Sequence, residues 1–241
     1  MCIKYNRVTK VRIRHADKPR AVQPIVIRTA HRAAKNYKKV CISNISKARR
    51  KMEKIQTSFY SPEELKEIGF KSVGENVLIS RKVSIYSPQK ISIGNNVRID
   101  DFCILSGNIT LGNYCRIAAY CALYGSHGII MEDYSGMAMK CTILSASDDY
   151  SGDYLIGPIY PENVTNVKGG TVTFKHYSQL GACCLVFPGV TLNEGAACGV
   201  MTLVNRDLDP WTINTGIPVN RSRPRKKGLL EKVKSLQIEA Q

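Results

Sequence analysis

From Val73 onward, every sixth residue is small to medium and apolar. The series runs Val73, Ile79, Ile85, Ile91, Val97, Cys103, Ile109, Cys115 and Cys121 without a missed step. Two residues behind it runs a companion, Ile93, Ile99, Leu105, Leu111, Ile117 and Leu123. The beat returns as Val172, Ser178, Cys184, Val190, Ala196, Thr202 and Leu208, accompanied by Phe174, Leu180, Val186, Leu192, Cys198 and Val204. Between them Met131, Met137 and Ile143 carry one further turn in shifted register. An α-helix repeats about every 3.6 residues and a strand about every 2, and neither keeps a period of six over such a length. Paired apolar positions at i−2 and i, repeated every six residues, are the pattern of a parallel β-helix.

Each unit of six then supplies one short strand and one corner, and neighbouring coils satisfy each other's backbone groups. Glycine and asparagine in "IGNN" (93–96) and "LGN" (111–113) mark corners, read here as positions that want positive φ. Residues 73–126 give three triangular coils and 172–207 two; with the shifted turn between, the expectation is about six. The ladders also account for the cysteines, of which the chain has 9 and no CxxC pair. Cys103, Cys115, Cys121, Cys141 and Cys184 stand on the small-residue ladder and Cys198 on the large one, so they point inward as small apolar side chains. Only Cys183 is expected to face out. An odd number of cysteines without a secretory pattern argues for reduced thiols.

The net charge of +16 suggests a nucleic-acid binder until it is divided along the chain. Residues 1–52 hold 16 of the 35 Lys and Arg and a single acid, Asp17, a net of +15, which leaves +1 for the rest. That break separates a basic, disordered extension (1–52) from an almost neutral body. The extension is either an arm for nucleic acid or an anionic membrane surface, or an appendage without a role. Base-stacking aromatics are few in it, Tyr5 and Tyr37, which argues against a nucleic-acid partner. No run of about 18 apolar residues exists, so no membrane span is expected, and scattered N-terminal charges place the protein in the cytoplasm. The body divides into a capping segment (53–72), the β-helix (73–208) and a C-terminal segment (209–241). "SPEELKEIGF" (61–70) opens with helix-start residues and reads as a short helix capping the solenoid's open end. "LLEKVKSLQIEAQ", after Gly228, has helical spacing and packs against the coils or a neighbouring subunit.

The motifs "ISIGNNVRIDDFCIL" (91–105), "LGACCLVFPGVTLNEGAACGVMTLVNRDLDPW" (180–211) and "NTGIPVNRSRPRKK" (214–227) resemble the hexapeptide-repeat acyltransferases with a left-handed parallel β-helix, in particular sugar O-acetyltransferases that modify galactosides and polysaccharides. The resemblance spans roughly residues 60–230. It implies a homotrimer, acetyl-CoA as cosubstrate in the groove between adjacent helices, and a sugar or glycoside acceptor near a protruding loop. Such a loop is present where the beat stops, 144–170, rich in Asp148, Asp149, Tyr150, Asp153 and Tyr154. The resemblance also assigns cofactor contacts: backbone N–H groups of Gly181 and Ala182 near the thioester carbonyl, Gly199 and Thr202 along the pantetheine arm, Gly216 and Pro218 near the adenine. Arg221, Arg223, Arg225, Lys226 and Lys227 supply positive charge for the phosphates.

Acyl transfer to a hydroxyl needs a base, donors for the tetrahedral oxyanion and aligned substrates. The β-helix has two histidines. His176 sits at a corner just after the loop; His127, in a glycine-flanked break, is the weaker candidate. Better-known relatives carry the catalytic histidine in the loop, where this chain has Asp148 and Asp149. Either a carboxylate replaces the base, His176 takes over, or catalysis is lost. His176 as base, oriented by a loop aspartate, is the reading preferred on pKa grounds. Three functions are therefore weighed: an acetyl-CoA-dependent O-acetyltransferase on a sugar, with amino-sugar N-acetylation as its close variant; a zinc enzyme, which would need three histidines per metal; and a non-catalytic scaffold.

Overall fold

Stacking six-residue units works only if every coil turns the same way at every corner, and three short faces achieve it. The computed structural model describes residues 58–239, within the compact unit Gln56–Gln241; the extension expected over 1–52 lies outside the described residues. On the first face Val73 pairs with Ile93, Ile93 with Leu111, Leu111 with Met131, Met131 with Phe174, Phe174 with Leu192 and Leu192 with Leu208, all parallel. The second face stacks Ile79, Ile99, Ile117, Met137, Leu180, Cys198 and Asn214. The third stacks Ile85, Leu105, Leu123, Ile143, Val186 and Val204. The chain thus completes six coils and opens a seventh. Because Met131 meets Phe174 directly, the loop between them leaves the solenoid intact.

Every ladder position points inward. From Ile91 to Cys121 and from Val172 to Leu208, all are buried, with Ile99, Leu105, Ile117, Leu123 and Phe174 fully so. Cys103, Cys115, Cys121, Cys141, Cys184 and Cys198 are free and buried, and Cys183 is exposed. The inward thiols of Cys103, Cys121, Cys141 and Cys184 form one column, each donating at 3.1 Å to a corner carbonyl of the following coil: Ala118, Ala138, Gly181 and Gly199. Burial pushes the Cys198 thiol up to about 12, as expected for a packing residue.

The corners differ from the expectation in their chemistry. Gly94 and Gly112 have ordinary φ, while Asn96 is left-handed as expected; the left-handed non-glycine residues are Asn76, Asn96, Tyr114, Tyr134, Tyr177 and Trp211 at the first–second edge, Phe102, Tyr120, Lys140, Cys183 and Met201 at the second–third edge, and Ser87 at the third–first edge. Positive φ turns these N–H groups along the axis, and from Asn96 on, Phe102 excepted, they donate to the preceding coil, as Tyr114 does to Asn95 and Tyr134 to Asn113, both at 2.9 Å. Each costs roughly 1–2 kcal/mol in a non-glycine residue. Ring stacking offsets this: Tyr114 on Tyr134 at 4.8 Å, Tyr134 on Tyr177 at 5.5 Å, Phe102 on Tyr120 at 5.0 Å, each worth about 0.5–1.5 kcal/mol beyond area. Gly74, Gly94 and Gly112 serve space instead. Asn95, Asn113 and Asp133 accept from the N–H of Glu75, Asn95 and Asn113 in turn, at 2.8, 2.9 and 2.8 Å. A side chain at Gly74 or Gly112 would overlap Asn95 Oδ1 or Asp133 Oδ1.

Both ends are closed. Helix α1, Pro62–Glu67, starts at Ser61 with a capping box to Glu64 and buries Leu65 against the first coil. At the other end Thr212–Gly216 continues the second face and pairs antiparallel with Val219–Pro224. Helix α2, Leu229–Glu239, then places Leu229, Val233 and Leu236 beside Tyr134, Tyr177 and Gln179.

Candidate functional site

The second face carries an open cleft of ≈ 430 Å³ between the aromatic edge and the second–third edge. Tyr114 and Tyr134 wall one side, Ala138 and Met139 the other, and Arg116 and Gln179 flank it along the face. Its floor is low because Gly136 stands where the coils before and after carry Arg116 and Gln179. A larger hollow of ≈ 510 Å³ lies near Phe59, Arg98 and Tyr120, but it adjoins none of the residues singled out by sequence. The cleft does. On its second–third side, Ala119, Met139, Ala182 and Val200 occupy equivalent corner positions in successive coils. Among the described residues their N–H groups have no acceptor, whereas the αL residue after each donates to the coil before. The result is a row of unused backbone donors beside a shallow apolar groove.

Several expected cofactor contacts change when placed on this frame. Ala182 keeps a free N–H. Gly181 does not: it donates to Cys198 O at 2.9 Å, and Gly199 to Asn214 O at 2.8 Å. These two are glycines because a Cβ at Gly181 would stand 2.7 Å from the Gly199 carbonyl carbon and one at Gly199 2.6 Å from Thr215 Cγ2. Thr202 points into the solenoid, 1% exposed, with its hydroxyl on Gly199 O at 2.9 Å, so its side chain cannot line a pantetheine channel. Gly216 and Pro218 form the turn of the C-terminal hairpin, and Arg221 and Arg223 are exposed on its outer strand, with Lys226 exposed just beyond. Arg225 and Lys227 are already engaged. Arg225 donates to Tyr177 O, Gly195 O and Gln179 Oε1 at 2.9, 2.9 and 2.7 Å, and Lys227 lies 5.1 Å over the Trp211 ring.

His176 and the loop aspartates are not partners within a chain. His176 lies on the first–second edge, whereas the loop leaves the third–first edge, which in a three-sided solenoid is opposite the second face. The carboxylate that meets His176 is instead Glu132, which no sequence pattern singled out: its Oε2 meets His176 Nδ1 at 2.5 Å and its Oε1 accepts from Lys175 Nζ at 2.8 Å. Burial opposes the Glu132 charge, but these two donors outweigh it and hold the carboxyl below its usual range. The loop has its own order. Asp149 is buried; it accepts from Ser151 N and Asn166 Nδ2, both at 2.7 Å, and faces Lys168 Nζ at 3.5 Å. Led by the Ser151 hydrogen bonds, these hold its carboxyl at about 2. Asp149 is therefore a fixed anion and not a base. Asp148 accepts from Gly157 N at 3.4 Å. Among the described residues no cluster of three or more His, Cys, Asp or Glu side chains is arranged to hold a metal ion, and no helix is long and apolar enough to cross a membrane.

Comparison with known proteins adds to this geometry. The family described as bacterial transferase hexapeptide (six repeats) matches residues 90–125. An Escherichia coli protein, dTDP-4-amino-4,6-dideoxy-D-glucose acyltransferase, is 44% identical over 171 residues, covering 70% of this chain and 89% of its own. AntD, an N-acyltransferase from Bacillus cereus solved with dTDP and 3-hydroxybutyryl-CoA, is 49% identical, with a TM-score of 0.75 over 77% of this chain and 99% of that one. A variant of AntD solved with dTDP-4-amino-4,6-dideoxyglucose and coenzyme A is 50% identical, with a TM-score of 0.74 over 76% and 99%. With a period of six, three stacked faces and close relatives matched over nearly their whole length, this chain belongs to the hexapeptide-repeat acyltransferase family.

Proposed function

We propose that the protein transfers an acyl group from a coenzyme A thioester, acetyl-CoA in the first instance, to the amine of a nucleotide-linked amino sugar of the dTDP-4-amino-4,6-dideoxyglucose kind. The observation that carries this reading is the match to AntD across 99% of that chain at 50% identity, in a complex holding that sugar nucleotide and coenzyme A. O-acetylation, the first reading of the sequence, has no comparable support among these relatives, and its N-acyl variant has. In the reaction the amine nitrogen attacks the thioester carbonyl, the N–C bond forms, the C–S bond breaks, and the proton lost by nitrogen ends on the departing thiolate. An ammonium must first shed a proton, and His176 is assigned that task through Nε2, its ring fixed by Glu132. The row of free N–H groups at Met139, Ala182 and Val200 gives a thioester and its amide-bearing arm backbone donors to meet, with Arg221, Arg223 and Lys226 nearby in sequence for phosphates. Asp149, whose carboxyl is held at about 2, and Asp148 beside it attract and place the amino group.

Because the loop and His176 lie on opposing parts of one solenoid, this reading requires the loop of one copy to reach the second face of the next, as in a homotrimer. The test is direct. Enzyme is incubated with acetyl-CoA and either dTDP-4-amino-4,6-dideoxyglucose or its 4-hydroxy counterpart, with free thiol and product mass as readouts. Turnover confined to the amine supports the proposal. Equal acylation of the alcohol returns the function to O-transfer, and coenzyme A binding without thiol release with either sugar leaves a scaffold.

A further inference from the structure

We infer that His127 is a positioning residue: its ring is the seat on which the acceptor loop rests. The inference builds on the reading that this loop serves the amino sugar. It starts from a local irregularity. Strand Ala122–Met131 runs parallel to Ile104–Leu111 in strict register as far as Gly125 opposite Gly107, and resumes with Ile129 opposite Ile109. Where the lower strand spends one residue, Asn108, the upper spends Ser126, His127 and Gly128. This insertion of two residues is what shifts the hexad beat after Leu123. Glycines make it feasible: Gly128 has φ +101, and a Cβ on Gly125 would stand 2.7 Å from Asn108 O.

The insertion occupies the edge from which the loop departs one coil later, and its backbone is bonded to both loop roots. His127 N donates to Ser145 Oγ at 2.9 Å, and Thr171 Oγ1 donates to His127 O at 2.8 Å. Ser145, wholly buried, in turn donates its hydroxyl to Tyr124 O at 2.8 Å and accepts at its carbonyl from Gly170 N at 2.9 Å. The ring itself lies against the peptide of Gly169, so closely that any side chain at position 169 would overlap it. Ser126 Oγ shares a hydrogen bond with its Nδ1 at 3.2 Å, which sets the ring's rotation. Gly169 is in the two-stranded ribbon Ala146–Ser147 and Lys168–Gly169, pairing with Ala146, while Lys168 pairs with Ser147. The next two residues after Ser147 are Asp148 and Asp149, and Lys168 is the ion-pair partner of Asp149. A chain of direct contacts therefore runs from the His127 ring through Gly169 and the ribbon to the carboxylates.

A side chain that only filled space on a solenoid would be one of the six-residue beat; this one exists because the beat is broken for it. Removing the ring leaves Gly169 without a backing surface and lets the ribbon tilt, and small misplacements of positioning groups cost up to about 100-fold in rate.

The experiment compares His127→Ala with His127→Phe, which keeps a flat ring and no titratable nitrogen, and adds Gly169→Ala. Measured are KM for the amino sugar, KM for acetyl-CoA, kcat, its pH profile, and amide exchange over residues 148–168. The expected result for His127→Ala and Gly169→Ala is faster exchange in the loop and a KM for the amino sugar raised about tenfold or more, with KM for acetyl-CoA and the shape of the pH profile unchanged. His127→Phe is expected to restore most of both. Unchanged exchange in His127→Ala overturns the seat. So does a His127→Phe enzyme as impaired as His127→Ala with a displaced pH profile, which would make the residue a proton carrier instead. Faster exchange with every kinetic constant intact would leave the seat standing and overturn the loop's part in acceptor binding.

Discussion

At the scale of single residues, two side-chain positions make opposite predictions. Ser178 occupies an inward ladder position and is fully buried, and its Oγ is the one buried side-chain polar atom among the described residues without a hydrogen-bond partner. An unmet buried hydroxyl costs about 1–3 kcal/mol, so Ser178→Ala should raise stability by about 1 kcal/mol after allowing for the small void. Urea unfolding reads this; a lower midpoint at unchanged slope would mean that the hydroxyl is satisfied in solution. Gly94 is the reverse case. A Cβ there would lie 2.7 Å from the carbonyl of Gly112 in the next coil, and backbone cannot swing aside as a side chain does. Gly94→Ala is expected to destabilise by about 1–3 kcal/mol, the ordinary range for overpacking. The inward residues were readable beforehand because burial leaves few choices of side chain. Thr202 was readable too: it stands on the inward ladder, and only the family resemblance drew it toward the cofactor. The left-handed tyrosines were not, because nothing in a tyrosine's chemistry advertises positive φ; the structure retains them through ring stacking between coils.

At the scale of elements, the loop is the informative piece. Its boundaries followed from the interrupted period, but its internal order did not, since Asp149 is tied to Asn166 and Lys168 across a span with no repeat to count by. The same distance hid the pairing of Glu132 with His176, two corners made neighbours only when the loop is looped out. Because the Asp149 carboxyl is held at about 2, below the ordinary carboxylate range near 4, its tie contributes fully above that range. The contribution falls away as pH drops from about 4 through about 2. Amide exchange over 150–166 should therefore accelerate in that window. At neutral pH, Asp149→Asn should mimic the acid state, and the exposed Tyr150 and Tyr154 give chymotrypsin its sites. Faster nicking than in the parent is the expected outcome, and equal rates would show that Asn166 and Lys168 do not restrain the loop.

At the scale of the whole molecule, the ordered loop leaves Tyr150, Leu155, Ile156, Ile159 and Val167 exposed, with Ile159 at 83%. Surfaces of this kind on a folded chain are usually covered by a partner. Light scattering in solution should give three times the 26.8 kDa chain mass, and paired charge substitutions at Ile156 and Ile159 should shift it toward one. A parent protein that is monomeric at assay concentrations would remove the shared site from the proposed mechanism.

The column of rings on the aromatic edge has an optical consequence. Trp211 is the only tryptophan in the sequence and ends the series Tyr114, Tyr134, Tyr177, with its ring 6.1 Å from that of Tyr177. Excitation absorbed by these tyrosines is passed upward to a single emitter, under the cation of Lys227. The protein thus carries its own fluorescent gauge: occupancy of the second face should change tryptophan emission, and uncoiling of the final turns should return the light to tyrosine.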